Sequence, residues 1–359
     1  MRPIHGRAHF RAARSLAMPV TLAFLAALNL ATLIGCGRTS EPEYQASEAI
    51  QKLPVPLQQQ IAQVLREHCG TPTNPKLLGQ PDVDPEHLRL GHQVYAQRCQ
   101  QCHGISGDGA GPAAAVLRPR PRDYRPGIFK FTSTPYGYKP RRDDLIRTVS
   151  RGISGTSMPS FKLLPKQELE AVVDYVLVLT HRGELEKSLA YELESEEELI
   201  EGVVPDAIDV IVNRWKTADN SIVYPLTSQP VLTAESVVAG KKAFLSKGCS
   251  KCHGNDGRGY TKENIGKDAW GFDTKAADLT SGMLHGGREP LDIYRRIISG
   301  INGTPMPGFS NALRDEPETF WDLVAYVSYV SNRRREGVAM PVGDFLQPQP
   351  ALNVQTPPK

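Results

Sequence analysis

The feature that most constrains this chain is a short motif that occurs twice. The sequence reads CQQCHG at residues 99–104 and CSKCHG at residues 249–254, so two cysteines and a histidine recur at the same spacing. The similarity continues along the chain, where GISGTSMPSF at 152–161 matches GINGTPMPGF at 300–309. Segments with apolar residues at helical intervals precede and follow each copy. The chain therefore contains an internal repeat of about 100 residues, built from short helices and loops.

The spacing Cys-x-x-Cys-His is the attachment signature of c-type haem. Two thiols add to the two vinyl groups of one porphyrin, and the next residue then lies under the iron, where a histidine can bind it. A redox dithiol is one alternative. A zinc site that pairs the two motifs is another, but it would leave both histidines and the methionine loops without a role. The sequence thus predicts two covalently bound haem c groups, attached at Cys99, Cys102, Cys249 and Cys252, with His103 and His253 as axial ligands of the iron.

Each repeat also offers a second axial ligand for haem iron. Met158 and Met306 both lie in a Gly-Thr-x-Met-Pro loop, at nearly the same separation from their motifs. A thioether is a soft ligand, and histidine–methionine ligation raises the reduction potential compared with two nitrogen ligands. The proline after each methionine cannot extend a helix, which suits a loop that must hold sulfur against iron. His92 and His285 are the competing ligands, and His285 has no equivalent in the first repeat.

In these combined motifs each repeat resembles a class I cytochrome c domain, over residues 86–181 and 233–334. The resemblance implies an all-α fold, with two tandem class I cytochrome c domains joined by a partly helical acidic linker. The chain as a whole resembles a membrane-attached dihaem cytochrome c lipoprotein. The resemblance also implies a crossed contact between the first and last helix of each domain, carried by Gly91, Tyr95 and Tyr175 in the first and by Gly240, Phe244 and Tyr326 in the second.

The N-terminus has the pattern of an export signal. A basic start with four arginines precedes an apolar run from Ser15 to Cys36, which ends in Leu33-Ile34-Gly35-Cys36. This ending resembles a bacterial lipobox, which implies that residues 1–35 are a signal peptide and that Cys36 carries a lipid. An uncleaved membrane anchor is the alternative, since the run is close to the ~20 residues that a span needs. The expected location is the periplasmic side of a bacterial membrane, with a lipid anchor.

The basic character of the whole chain comes from this export signal. The formal net charge is +3 at pH 7, and the signal contributes four arginines. Their removal leaves a net charge of about −1, which gives no support for nucleic-acid binding.

Four further segments complete the organisation. Residues 36–85 are expected to form a lipid tether and entry region, with a helix near 45–68. Residues 182–232 form the linker, where eight glutamates between Glu184 and Glu201 predict a solvated helix face. Residues 335–359 are interpreted as a flexible tail. The basic, proline-rich loop at 118–142 is expected to cover a haem propionate or to bind an acidic partner, and Cys69 is interpreted as a buried apolar residue.

An iron with two protein ligands has no free position for a substrate, so the predicted function is transfer of single electrons rather than catalysis. The expected partners are redox proteins of a respiratory chain, met at the membrane to which the lipid holds the chain. The protein would act as a shuttle or as a subunit of a larger oxidoreductase complex. A dihaem cytochrome c peroxidase is the alternative. It requires one iron to bind peroxide, and the two matched methionine loops argue against that.

Overall fold

The computed structural model describes residues 41–194, 198–259 and 266–336. Three predicted features lie outside the described residues: the signal peptide, the lipidation of Cys36 and most of the tail, residues 337–359. No helix within the described ranges combines the length and the apolar character needed to cross a membrane.

The described residues contain helices and no strands, and two isolated bridges are their β contacts. The prediction of an all-α fold is confirmed for this part of the chain. The helices belong to one compact unit that starts at Pro42. They are α1 (Glu48–Gln51), α2 (Val55–Cys69), α3 (Pro85–Arg98), α4 (Gln100–His103), α5 (Arg142–Arg151), α6 (Lys166–Glu192), α7 (Val203–Asp219), α8 (Ala234–Ser246), α9 (Ser250–His253), α10 (Pro290–Ser299) and α11 (Thr319–Arg335).

The helix before each motif begins at a cap that the sequence encodes. Asp84 Oδ1 accepts a hydrogen bond from the Glu86 amide at 2.9 Å, and Pro85 occupies the first turn of α3. Thr233 and Ser236 cap α8 reciprocally, because each side chain accepts a hydrogen bond from the backbone amide of the other. A cap of this kind satisfies amides that have no partner inside the helix and stabilises it by about 1 kcal/mol. Local sequence therefore fixes where α3 and α8 start.

In each domain the first helix crosses the last at a glycine. At Gly91, on α3, a methyl group would overlap the carbonyl oxygen of Ala171 on α6. At Gly240, on α8, it would overlap the carbonyl oxygen of Asp322 on α11. The expected crossed contact is therefore present in both domains, and only glycine allows the backbones to come this close. The aromatic pairs at the two crossings are Tyr95–Tyr175, with ring centroids 5.2 Å apart, and Phe244–Tyr326, at 5.1 Å.

Each domain builds its own apolar core around this crossing. In the first domain the core joins α3, α5 and α6, and in the second it joins α8, α10 and α11. Members of the first core include Val94, Tyr95, Leu145, Val172, Tyr175 and Leu179. Members of the second include Phe244, Ile293, Tyr294, Ile297, Phe320, Leu323 and Tyr326.

The segments outside the repeat form a further apolar cluster. α1, α2 and α7 pack on the C-terminal part of α6, around buried residues that include Ile61, Leu185 and Leu189. Cys69, at the end of α2, is fully buried in this cluster, and burial raises the pKa of its thiol to about 12. The interpretation of Cys69 as a buried apolar residue is confirmed.

The solvated acidic face predicted for the linker is wrong at its first two glutamates. α6 continues to Glu192, so Glu184 and Glu186 lie on this helix, where both are buried. Glu184 forms an ion pair with Lys139 and accepts a hydrogen bond from Trp215 Nε1 at 2.7 Å. The sequence pattern missed this because the basic partner lies 45 residues away, in the loop at 118–142.

The basic loop at 118–142 contacts the second domain. Gly137 donates its amide hydrogen bond to Asn302 Oδ1 at 2.7 Å, and the Arg296 guanidinium donates to the carbonyl oxygen of Thr132. Asn302 belongs to the methionine loop of the second repeat. The loop thus ties the two domains together, a role that the sequence did not indicate.

Candidate haem sites

The two cysteine–histidine motifs fold in the same way, as single helical turns. In α4 the His103 amide donates to the Cys99 carbonyl oxygen at 2.9 Å, and in α9 the His253 amide donates to the Cys249 carbonyl oxygen at 3.0 Å. Each turn ends at a glycine with positive φ, which a residue with a side chain rarely adopts. The tight turn keeps two thiols and one imidazole within a few residues, as attachment of one porphyrin requires.

Backbone carbonyl groups orient both imidazoles. His103 Nδ1 lies 3.0 Å from the Arg122 carbonyl oxygen, and His253 Nδ1 lies 3.0 Å from the Ala277 carbonyl oxygen. A carbonyl can only accept a hydrogen bond, so Nδ1 carries the proton in both rings. Nε2 therefore keeps its lone pair, which is the arrangement that metal-binding histidines adopt. This observation shows that both sites fit a haem iron.

The electrostatic environment also favours neutral imidazoles. Removal from water lowers the pKa of His103 to about 4, and it lowers the pKa of His253 from its ordinary value. Desolvation disfavours the charged form of a histidine. Because a protonated imidazole cannot bind a metal, both rings are held in the form that can act as a ligand.

The cysteines do not have the character of a redox dithiol. Burial raises the pKa of Cys99 to about 12 and that of Cys249 to about 11. Reactive dithiols instead have a lowered pKa, since the thiolate is the reactive form. The described residues also contain no group of three or more histidine, cysteine, aspartate or glutamate side chains placed to hold a metal ion. The two motifs therefore do not meet in a shared zinc site.

The two methionine loops share one hydrogen-bond pattern. In the first, the Ile153 amide donates to the Met158 carbonyl oxygen at 3.1 Å, and Thr156 Oγ1 accepts from the Met158 amide at 3.1 Å. In the second, both equivalent bonds measure 3.2 Å and involve Ile301, Thr304 and Met306. The threonine of Gly-Thr-x-Met-Pro thus holds the methionine backbone. This gives the repeated threonine a physical role that the sequence pattern alone did not show.

The competing histidines lie in different surroundings. The His92 ring packs against Tyr175, with centroids 5.4 Å apart, at the helix crossing of the first domain. His285 is exposed on the second domain and lies next to Gly155, in the methionine loop of the first domain. Neither histidine has the backbone-carbonyl orientation that His103 and His253 share.

Two groups of residues at the candidate sites could not be predicted from the sequence. The Tyr124 ring stacks on the imidazole of His103, with centroids 4.7 Å apart and 22° between the planes. An aromatic residue in a long loop gave a weak signal for this contact. The carbonyl acceptors of Arg122 and Ala277 gave none, because every residue carries a carbonyl group.

Comparison with known proteins supports the same assignment. Residues 86–176 match the family described as "Cytochrome C oxidase, cbb3-type, subunit III", and residues 237–331 match the family "Cytochrome c". A chain of the "reducing HAO-like protein complex Kustc0457/Kustc0458" of Kuenenia stuttgartiensis is similar in structure, with a TM-score of 0.52 and 31% sequence identity. The match covers 67% of this chain and 95% of that one. No curated protein matches this chain at a significant level.

The chain therefore belongs to the c-type cytochromes. It contains two tandem cytochrome c domains, at residues 86–176 and 237–331. Two such domains imply two covalently bound haem c groups. The fold, the paired motifs and the oriented imidazoles together define a dihaem cytochrome, whose general role is electron transfer.

Proposed function

We propose that this cytochrome carries single electrons between redox proteins of a respiratory chain, outside the cytoplasm, as a subunit of a membrane-associated complex or as a shuttle. The observation that carries the proposal is that the candidate ligands are held by the same hydrogen bonds in both domains. Both domains have the carbonyl-oriented histidine, and both have the threonine-held methionine loop.

In the proposed arrangement the protein supplies the attachment and the ligands. Cys99 and Cys102 would hold one haem, and Cys249 and Cys252 would hold the other. His103 with Met158 and His253 with Met306 would bind the two irons. Haem iron accepts or gives up one electron without binding a substrate when both axial positions are filled. The carbonyls of Arg122 and Ala277 hold each imidazole in one orientation, which would limit rearrangement on electron transfer.

Membership of a complex is supported by the structural relative, whose own description is of a protein complex.

A lipid on Cys36 would keep this chain close to membrane donors and acceptors. Replacement of Cys36 by serine is then expected to move the haem-loaded protein from the membrane fraction to the soluble fraction. Cys69→Ala is the control, since Cys69 is the other cysteine outside the haem motifs. A Cys36→Ser protein that stays in the membrane fraction would contradict lipidation.

The electron-carrier function is tested by ligand binding to the purified haem protein. A pyridine haemochrome assay should find two haems per polypeptide. Addition of cyanide and peroxide to the oxidised protein, and of carbon monoxide to the reduced protein, should leave the spectra unchanged. Fast ligand binding at one haem, with steady consumption of peroxide, would instead establish the dihaem peroxidase.

A further inference from the structure

Trp270 of the second domain lies between the two candidate haem sites. Its indole Nε1 donates a hydrogen bond to the carbonyl oxygen of Asp123, in the first domain, at 3.2 Å. The neighbouring carbonyl, that of Arg122, is the acceptor that orients His103. The Arg122 guanidinium also lies over the indole ring, 3.6 Å from its centroid. One tryptophan of the second domain thus contacts the backbone that holds the axial histidine of the first.

The other side of Trp270 contacts the methionine loop of its own domain. A methyl group added at Gly303 would lie 2.7 Å from the six-membered part of the indole, so ring and backbone are in direct contact. The preceding residue, Ala269, donates its amide hydrogen bond to the Gly303 carbonyl oxygen at 3.0 Å. Gly303 precedes Met306 by three residues in the Gly-Thr-Pro-Met loop.

The position of Trp270 is held by charged groups of both domains. Asp268 accepts a hydrogen bond from the Trp270 amide at 3.0 Å. The Asp268 carboxylate lies 3.8 Å from Arg122 and 3.8 Å from Lys130, both in the first domain, and its side chain is 7% exposed. The second domain has room for the segment with Asp268 and Trp270 because His253 and its acceptor, the Ala277 carbonyl, are 24 residues apart. In the first domain His103 and the Arg122 carbonyl are 19 residues apart. Trp270 lies within that longer segment.

We propose that Trp270 is the bridge for electron exchange between the two haems. The inference rests on the proposed electron-carrier function. The route runs from the His103 imidazole through its hydrogen bond to Arg122, across one peptide unit to the Asp123 carbonyl, and through the second hydrogen bond into the indole. It leaves the indole at Gly303 and follows the backbone to Met306. Tunnelling weakens more slowly along bonds and hydrogen bonds than across empty space, so a contiguous chain of contacts favours this route.

The step itself involves one electron and no chemistry at Trp270. One haem iron is oxidised by one electron and the other is reduced by the same electron. No proton moves and no covalent bond breaks. Trp270 is neither oxidised nor reduced, because the indole serves as a medium between the two sites. Its role is that of a positioning and coupling residue.

The test compares two tryptophans that make the same type of bond. Trp321 donates its indole N–H to the Thr227 carbonyl oxygen of the linker at 3.2 Å, a bond that involves no residue of the first domain. Trp270→Phe and Trp321→Phe each keep an aromatic ring and remove one such bond. In the haem-loaded protein, one electron is injected by a laser flash, and equilibration between the haems is followed optically. We expect a several-fold fall in this rate for Trp270→Phe and an unchanged rate for Trp321→Phe.

Redox titrations and haem spectra of the same samples complete the test. The two potentials allow correction for any change in driving force, and unchanged spectra show that the ligands are intact. A benzothienylalanine at position 270 keeps the shape of the indole and lacks the N–H donor, so it replaces the phenylalanine variant if that one fails to fold. An unchanged corrected rate in either variant at position 270 overturns the bridge alone. A wild-type protein with fewer than two six-coordinate haems would overturn the proposed function, and the bridge with it.

Discussion

At the scale of single residues, both sites depend on backbone groups to orient their ligands. The two imidazoles donate to carbonyl oxygens, and both methionine amides donate to a threonine hydroxyl of the same loop. Backbone acceptors do not titrate, and a change of side chain at the acceptor residue does not remove them. The ligand orientation is therefore insensitive to pH and to most substitutions at Arg122 and Ala277.

Loss of either methionine ligand should change one haem and leave the other intact. We expect Met158→Ala or Met306→Ala to lower the potential of one haem by on the order of 100 mV, since axial ligands set the potential over a wide range. Each variant should also bind carbon monoxide at that iron. Met283→Ala is the control, because Met283 is an exposed methionine outside both loops. Redox titration and carbon monoxide difference spectra are the measurements, and wild-type spectra in both variants would contradict ligation.

A buried histidine outside the sites should make the protein sensitive to acid. Burial, with a further contribution from Lys139, lowers the pKa of His181 from 6.5 to about 3. The unfolded chain therefore binds a proton more readily than the folded chain, so the free energy of unfolding falls as the pH drops from 6.5 towards 3. His181→Met should reduce the slope of the free energy of unfolding against pH by close to the amount that corresponds to one proton taken up on unfolding. Denaturant titrations across that pH range test it, and equal slopes for variant and wild type would refute it.

The candidate attachment residues could be named from the sequence, but the groups that orient the histidines could not. Attachment of one porphyrin requires a fixed spacing between Cys99, Cys102 and His103, so the spacing alone predicts them. The stacking of Tyr124 on His103 depends on how a long loop folds back. Spacing along the chain contains no information about that path.

At the scale of secondary-structure elements, α6 joins three parts of the molecule. Its N-terminal half crosses α3 in the first domain, and its C-terminal half packs against α2 and α7. Glu186 accepts a hydrogen bond from the Ser47 amide at 2.7 Å and forms an ion pair with Arg182 at 2.7 Å. Glu184 reaches Lys139 and Trp215. The helix therefore connects the entry region, the linker and the loop at 118–142.

The environment predicted for this part of α6 is wrong for a physical reason. A run of glutamates is solvated unless each carboxylate finds a donor, and such donors came from distant segments. Lys139 lies in a loop, and Trp215 lies on α7. Helical periodicity predicted the N-terminal part of α6 but not its continuation to Glu192, and tertiary pairing decided which of its acids are buried.

Removal of the Glu184 charge should destabilise the protein strongly. Glu184→Gln leaves Lys139 buried without its counter-ion, and we expect a loss of about 3 kcal/mol in the free energy of unfolding. Glu194→Gln, at an exposed position just after α6, should have little effect. The double variant Glu184→Gln/Lys139→Met should recover part of the loss, because it leaves no unpaired buried charge. Denaturant unfolding measures all three, and equal stabilities of both single variants would exclude the buried pair as a stabilising contact.

At the scale of the whole molecule, the two cytochrome domains bind each other through charged and aromatic groups. Asp292 of the second domain lies 3.2 Å from Arg151 and 4.0 Å from Arg147 of the first. Asp268 and Trp270 contact Arg122 at a second place. The basic loop that resembled a partner-binding surface therefore uses part of its charge inside the chain.

These contacts should couple the unfolding of the two domains. We expect calorimetry of the haem-loaded protein to show one transition, which Asp268→Asn lowers and broadens as the ion pairs with Arg122 and Lys130 are lost. The expected cost is about 1–2 kcal/mol, between that of an exposed and a buried ion pair. Asp256→Asn is the control, since its partner Arg258 belongs to the same domain. Two separate transitions in the wild-type protein would show that the domains unfold independently.

The contact between the domains also distinguishes one domain from the other. It is heterologous, because the loop of one copy meets a different surface of the other. Each of these surfaces belongs to one domain: the first domain has no tryptophan, and Ala277 stands where the first domain has Arg122. The two sides of the contact are therefore chemically distinct, so neither domain could take the place of the other in it.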